Sequence, residues 1–543
     1  MALFPISTSI GDLNGSGRKL RGGYYTPALI GEFLAEWAVR SSSDRVLEPS
    51  CGDGALVEPA SRRLGESGEL VAVELFSEEA AKARVRGGSV VTVVVGDVFQ
   101  WWLSNEPDAS FDAVIGNPPF IRYQDFPEAY RQSAFDLMRA EGMRPTRLSN
   151  AWLPFVVLAT RALKPGGRLA LVLPAELMQV GYAAELREYL TRKFDELHIV
   201  TFRKIVFDGI QQEVILLLGR RKDCESAQIR VSELATAEDL ATVNLHAQSP
   251  THVDLEHSNE KWTQYYLDKR EIGLLRELAE SGDVPRLSDY AEVNVGIVTG
   301  RNEFFVLRGK DAASQGVVEW CDPMVGRSVQ IPGLVLNPAD WSRMHADDEK
   351  VLLFNLTSDS RSDVPAKALG YIESGEESGY HTGYKCRIRL PAWWQMPSFW
   401  IPDAFMLRQI HDAPRIVSNR TNATCTDTIH RVRVRPGVNA DQLAAASLNS
   451  MTAAFSEVHG RSYGGGVLEL EPREAIGLPF PRFNGALPVD DLDALARDTG
   501  SEAMFEVVDP LILTPMGLTT SEISTLRGAW WKLSTRRRQR TRA

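Results

Sequence analysis

At 543 residues the chain exceeds the roughly 100 to 200 residues of one ordinary domain, so two large units or three smaller ones are expected. An apolar content of 44% with 24% charged residues is the profile of a folded globular chain, and no uninterrupted apolar run reaches the roughly 18 residues of a membrane span, so a membrane protein is not expected. The net charge of −11 argues against a protein that coats nucleic acid with its whole surface, while leaving a local basic cleft open.

The opening "MALFPISTSIGDLNGSGRKL" lacks a basic stretch followed by an apolar segment, so secretion is not expected. "TPALIGEFLAEWAV" has helical spacing, with Thr26 as candidate N-cap and Pro27 at the first helical position. "RVLEPSCGDGALVEPASRRLG" reads as strand, glycine turn and helix. "GELVAVELF", "VTVVVGDVF" and "FDAVIGNPPF" supply three more strands, and a helix in "NAWLPFVVLATRALKPGG" leads to the strand "RLALVLP". Short apolar strands separated by helical lengths predict a mostly parallel sheet covered on both faces. "ELREYLTRKF", "LHIVTFR" and "EVILLLGRR" close this α/β unit, expected over residues 1–240.

Residues 241–285 are more polar and read as a connection, and residues 286–485, with "YAEVNVGIVTGRNEFFVL" and "DTIHRVRVR", read as a mixed α/β domain. Helical segments and a basic tail, "STRRRQRTRA", are expected over 486–543. From His381 to Pro436 nine Lys or Arg face three acids, a basic sector in an acidic chain. The five cysteines, at 51, 224, 321, 386 and 425, form no CxxC pair or disulfide framework and fit a reducing cytoplasm. No metal-ligand cluster is evident, and no metal is expected.

Candidate chemistry gathers at the ends of the predicted strands, where an open parallel sheet binds its ligands. In "EPSCGDG", Gly52 and Gly54 permit a close turn, while Glu48 and Asp53 offer carboxylates around it. A dinucleotide would favour GxGxxG and an exposed helix N-terminus; with the third glycine missing and extra acids present, a cofactor with cationic ends, S-adenosylmethionine, fits better than NAD. Glu74 ends the second strand, suited to a pair of ribose hydroxyls, and Asp97 ends the third, suited to an adenine amino group. After the fourth strand, Asn117-Pro118-Pro119-Phe120 forces the chain out of the sheet in a fixed loop, since two prolines suit neither a central strand nor a continuing helix.

The succession "GYYTP", "VLEPSCGDG", "VAVEL", "GDVF" and "VIGNPPF" resembles the gamma-class N6-adenine DNA methyltransferases, especially the TaqI-like group. The resemblance implies a Rossmann-like S-adenosylmethionine-dependent catalytic domain followed by a C-terminal mixed α/β target-recognition domain. It places Tyr25, Thr26 and Pro27 at the methionine portion of the cofactor, Glu48, Cys51, Gly52 and Gly54 around it, Glu74 on its ribose and Asp97 near its adenine. Asn117 and Pro118 then supply oxygens that accept from the amino group of a flipped adenine, Phe120 stacks on the base, and Phe207 holds its other face. Further likenesses in "KCRIRLPAWWQMP" and "PRIVSNRTNATCTDTIHRV" make Arg387, Arg389, Arg415, Asn419, Arg420 and Asn422 candidates for DNA contact. Double-stranded DNA is the implied partner, with a separate restriction endonuclease by analogy, and one chain carrying both domains suffices as a monomer. The alternatives are methylation of RNA or of protein glutamine through the same NPPF chemistry, or a non-catalytic DNA-binding subunit.

Overall fold

Four short strands, β1 (Arg45–Glu48), β2 (Glu69–Glu74), β3 (Val91–Val95) and β4 (Phe111–Gly116), build one side of a sheet. It continues with β5 (Leu163–Pro174), β6 (Phe194–Phe202), β7 (Val214–Arg221) and β8 (Gln228–Leu234). The computed structural model describes residues 26–105, 109–121, 128–146, 150–204, 206, 213–222, 228–245, 260–396, 398–463, 466–483 and 487–539. These divide into two units, one up to Tyr265 and one over Tyr266–Arg538.

In the first unit the strand order is β3-β2-β1-β4-β5-β7-β6-β8. Every pairing is parallel except those of β7, which runs antiparallel to β5 and β6. Helices α1 (Ala28–Ala38), α2 (Val57–Ser61), α3 (Ser77–Gly87) and α4 (Val98–Asn105) alternate with the first four strands. They are followed by α5 (Glu128–Ala140), α6 (Trp152–Ala162), α7 (Glu176–Gln179) and α8 (Ala184–Lys193). Burial on both faces explains the near-continuous apolar runs: Leu70 to Val73 in β2 and Leu169 to Leu173 in β5 are all buried. α1 covers the sheet through Ile30, Leu34, Ala35, Trp37 and Ala38, and Trp37 Nε1 donates to Leu169 O of β5 at 3.2 Å. The chain progresses outward from β1 to β3 and then returns to β4 on the other side of β1. That reversal opens a crevice beyond the carboxyl ends of β1 and β4, where the glycine turn and the Asn117 loop begin.

The second unit holds three smaller sheets among the described residues. The largest orders Val335–Leu336, Ile416–Asn419, Ala404–Leu407, Ile429–Val434 and Ala291–Val295 side by side. An aromatic core of Phe304, Phe305, Phe354, Tyr371, Trp393 and Trp394 lies under an adjacent part of the unit. Lys269–Glu280, expected within a connecting segment, is a capped helix of this unit, and Lys532 of helix Thr520–Arg538 reaches its Glu271 at 2.7 Å. The basic tail is helical as far as Arg538, and Arg537 is buried against Glu457 at 2.5 Å. No described helix is long and apolar enough to cross a membrane.

Candidate functional site

Glu48 is the last residue of β1 and is almost wholly buried. The turn that follows is tied to β2 by Cys51 N donating to Val73 O at 2.9 Å. Gly52 and Gly54 take φ values of +51° and +92°. A Cβ at Gly54 would stand 2.8 Å from Ala83 Cα on α3, so helix and turn approach this closely only over glycine. Gly52 N donates to Glu74 Oε2 and Phe76 N to Glu74 Oε1, each at 2.9 Å, which fixes the carboxylate plane at the end of β2 and leaves each oxygen a second acceptor direction. Asp97 begins α4 in the same way: its Oδ1 accepts from Gln100 N at 2.8 Å.

Two acids expected around the turn behave differently. Asp53 is engaged by Arg86 at 2.8 Å and by Ala55 N at 3.2 Å, so this carboxylate braces the turn against α3 rather than facing a ligand. Neither oxygen of Glu48 makes a hydrogen bond of normal geometry. Burial first, and the neighbouring Glu74 charge second, push the Glu48 carboxyl well above the usual carboxylate range, although the amides of Ser50 and Asn117 act in the opposite direction. A buried acid met only by these two amides can receive a cationic group, and the residues present therefore fit S-adenosylmethionine. Burial and the same two carboxylates hold the Cys51 thiol protonated, which removes it as a nucleophile.

β4 ends at Gly116, and Asn117 leaves the sheet beside this turn. Asn117 Nδ2 donates to Thr26 Oγ1 at 3.2 Å, and Ser50 Oγ donates to Asn117 O at 3.5 Å. Thr26 was expected to cap α1; the cap position is Pro27, without a side-chain bond, and the Thr26 hydroxyl serves Asn117 instead. Pro118 is buried, and Phe120 is half-buried with part of its ring packed on the apolar core. Tyr25 and Phe207 lie outside the described residues. Sequence reading missed Asn150, whose buried side-chain oxygen has no partner; its neighbour Ala151 donates to Ile121 O at 2.9 Å, which sets it beside the Asn117 loop. It also missed Leu75 and Phe76, exposed apolar residues directly after Glu74, for which an apolar pair following a strand-end acid was the available signal.

The candidates in the second unit separate by what their polar groups already hold. Arg389 donates to Lys385 O at 2.9 Å and Gln395 O at 2.7 Å and also bonds Thr299 O. Arg415 donates to Ile331 O at 2.8 Å and bonds Pro332 O, and burial pulls its pKa down to about 10. Asn419 donates to Pro402 O and Ala423 O and accepts from Thr421. These three hold the backbone around them with the polar groups that were expected to meet DNA. Arg420 is paired with Asp441 at 2.9 Å and Asp490 at 3.1 Å, while Arg387 and Asn422 are exposed. Trp393 and Trp394 are core anchors.

Two family models match the chain: the Eco57I restriction-modification methylase over residues 77–207, and the C-terminal domain of Type II methyltransferase M.Eco57I over residues 259–513. Among curated relatives, Type II methyltransferase M.XamI of Xanthomonas campestris pv. amaranthicola is 25% identical over 477 residues, 85% of each chain. Type II methyltransferase M.AccI of Acinetobacter calcoaceticus is 22% identical over 482 residues, 84% of each. Among solved structures, the Type IIL restriction-modification enzyme MmeI in complex with DNA is similar in fold, with a TM-score of 0.58 at 11% identity over 94% of this chain and 75% of that one.

Proposed function

Since the chain belongs to the Eco57I-like family of Type II restriction-modification methyltransferases, and so is a site-specific, S-adenosylmethionine-dependent DNA methyltransferase, we propose that it methylates the N6 amino group of adenine in double-stranded DNA at the crevice between β1 and β4. The observation that carries this reading is the Asn117 amide, held by Thr26 where β4 ends and beside the buried carboxyl of Glu48.

The cofactor supplies an electrophilic methyl group on a sulfonium. Glu48 receives its cationic end, Thr26 and Pro27 close over that end, and Cys51, Gly52 and Gly54 line the turn. Glu74 accepts from the ribose hydroxyls, Asp97 accepts from the adenine amino group, and Leu75 and Phe76 give that ring an apolar wall. Asn117 and Pro118 do the electrostatic work on the target. The lone pair of an exocyclic amine is delocalised into its ring; two acceptor oxygens directed at its hydrogens favour a more tetrahedral nitrogen and stabilise the positive charge that develops there. The prolines hold these acceptors at little entropic cost, and Phe120 stacks on the base once it leaves the duplex.

The second unit acts as the target-recognition domain, with Arg387 and Asn422 the predicted contacts that are exposed, while Arg420 meets DNA only by leaving Asp441 and Asp490. The chain works as a monomer in the reducing cytoplasm, where its described cysteines, all free thiols, stay reduced, and a separate endonuclease shares its target sequence.

The test is transfer of labelled methyl from S-adenosylmethionine to mixed pools of unmethylated DNA, RNA and protein, with products identified by mass spectrometry. N6-methyladenine in DNA, abolished in a folded Asn117→Ala variant that still binds cofactor, is the expected result. Label in RNA or on glutamine would overturn the substrate assignment, and undiminished transfer by Asn117→Ala would overturn the site.

A further inference from the structure

We infer that residues 383–390, with Arg301 beside them, form a rigid surface that grips duplex DNA by pairing phosphate-binding cations with an apolar wedge for a base step; the inference rests on the reading of the chain as a DNA methyltransferase and names where the second unit meets its substrate.

The inner side of this segment is fixed at every turn. Cys386 is fully buried, Arg389 ties Lys385 O to Gln395 O and Thr299 O, and its Nη2 lies 3.3 Å from Cys386 Sγ. Just beyond, Trp393 Nε1 donates to Glu376 Oε1 at 3.0 Å and Trp394 Nε1 to Ser358 O at 3.2 Å, with both rings in the core. Gly300 packs so closely on the segment that a Cβ there would stand 2.7 Å from Lys385 Cβ, and one at Gly383 would stand 3.2 Å from Arg301 Nε. Arg301 therefore belongs to the same surface.

The outer side has a different composition. Tyr384, Ile388 and Leu390 are 65%, 61% and 53% exposed, three large apolar side chains within seven residues. Lys385, Arg387 and Arg301 are exposed between and beside them, and none of the three forms an ion pair among the described residues. Elsewhere in the unit Arg361, Arg408, Arg420 and Arg497 all meet carboxylates. The chain places no Asp or Glu between Ser378 and Pro402, although exposed Glu303 follows Arg301.

Exposed apolar side chains held rigid among unneutralised cations are unfavourable in water and mark a surface that a partner covers. The matching partner carries closely spaced anions and flat apolar faces, which describes the backbone and base steps of DNA. A duplex with one base flipped out also has a gap in its stack, which apolar side chains can fill. Arg389 and Arg387 thus divide the labour: one holds the platform from beneath and the other faces the phosphates.

The test uses the full chain and labelled unmethylated duplex fragments, with binding followed by anisotropy between about 50 and 200 mM salt. Replacing the cations (Arg301→Ala, Lys385→Ala, Arg387→Ala) should reduce the dependence of log affinity on log salt by about one for each cation removed. Replacing the wedge (Tyr384→Ser with Ile388→Ser) should leave that slope unchanged while raising the KM for DNA about tenfold or more. Cofactor affinity, read by calorimetry, should be unaltered in both. Parental slope and KM in both variants, from a chain that methylates DNA, would overturn this surface and leave the methyltransferase reading intact. A parent chain that methylates RNA or protein instead of DNA would overturn both readings. A parental dimer that becomes a monomer in the wedge variant, with DNA binding unchanged, would assign the face to a second copy of the chain and overturn the proposal.

Discussion

The side-chain nitrogen of Asn117 donates to the hydroxyl of Thr26 at 3.2 Å, joining the loop after β4 to the residue two before α1 across 91 positions of sequence. A neutral hydrogen bond of this kind contributes only about 0.5–1.5 kcal/mol to stability. Its larger effect is directional, because an amide whose nitrogen is held has a fixed oxygen, and that oxygen is the proposed acceptor for the target amine.

Removing the Thr26 hydroxyl should therefore damage turnover more than folding. Thr26→Val should lower the single-turnover rate of methyl transfer about tenfold or more while shifting thermal stability by no more than about 1 kcal/mol. Thr26→Ser keeps the hydroxyl and should restore most of the rate. A loss in Thr26→Ser with Thr26→Val near the parental rate would instead point to the threonine methyl, which valine keeps, and hence to packing, as the feature that matters.

The role proposed for Glu48 makes cofactor binding a proton-linked event. Its folded carboxyl is raised first by burial and then by the Glu74 charge, so the stability it contributes is complete below the unfolded carboxylate pKa and is lost as pH rises through the raised folded value. A bound cation reverses the shift by favouring the carboxylate. S-adenosylmethionine should then bind more tightly as pH rises through that range and release a proton as it binds, seen as a dependence of calorimetric heat on buffer ionisation enthalpy. Glu48→Gln should flatten the pH profile and weaken binding about tenfold or more; an unchanged profile would assign the cationic end elsewhere.

Asn150 tests whether an unsatisfied group is kept for a purpose. A buried oxygen without a partner costs about 1–3 kcal/mol, so Asn150→Leu should raise the melting temperature of the unliganded protein. If the oxygen serves the neighbouring loop during the reaction, the same variant should lose methyl-transfer rate. A lower melting temperature would mean that the amide holds the fold.

The strands of the first unit were legible because burial on both faces writes itself as apolar runs, and the Asn117 loop was legible because two prolines can only leave the sheet. The division of labour among charged residues was not. Asp53 reads as a ligand carboxylate until Arg86, 33 positions away, is seen at 2.8 Å. Arg389 and Arg415 look like phosphate contacts in a basic sector, yet their donors hold backbone carbonyls, and charge counting cannot separate a guanidinium that braces a loop from one that meets an anion. Thr26 has the residue type and position of a helix cap, but its hydroxyl bonds a residue that local sequence cannot reveal.

The arginine tail shows the same limit and yields the last prediction. A tail with five arginines within seven residues reads as solvated, whereas Arg537 is buried, pairs with Glu457 at 2.5 Å and donates to His411 O at 3.1 Å. Burial raises the Glu457 carboxyl even though Arg537 opposes it, so this carboxylate depends on its partner to stay charged. Arg537→Met alone should therefore cost the second unit about 3–5 kcal/mol in urea denaturation, because it strands a buried acid. The double variant with Glu457→Leu removes that acid as well and should recover most of the loss, short of the carbonyls that Arg537 also served. If the double variant instead loses the sum of the two single effects, the pair is not coupled, and the final helix is held by the packing of Leu526, Trp530 and Leu533 rather than by charge.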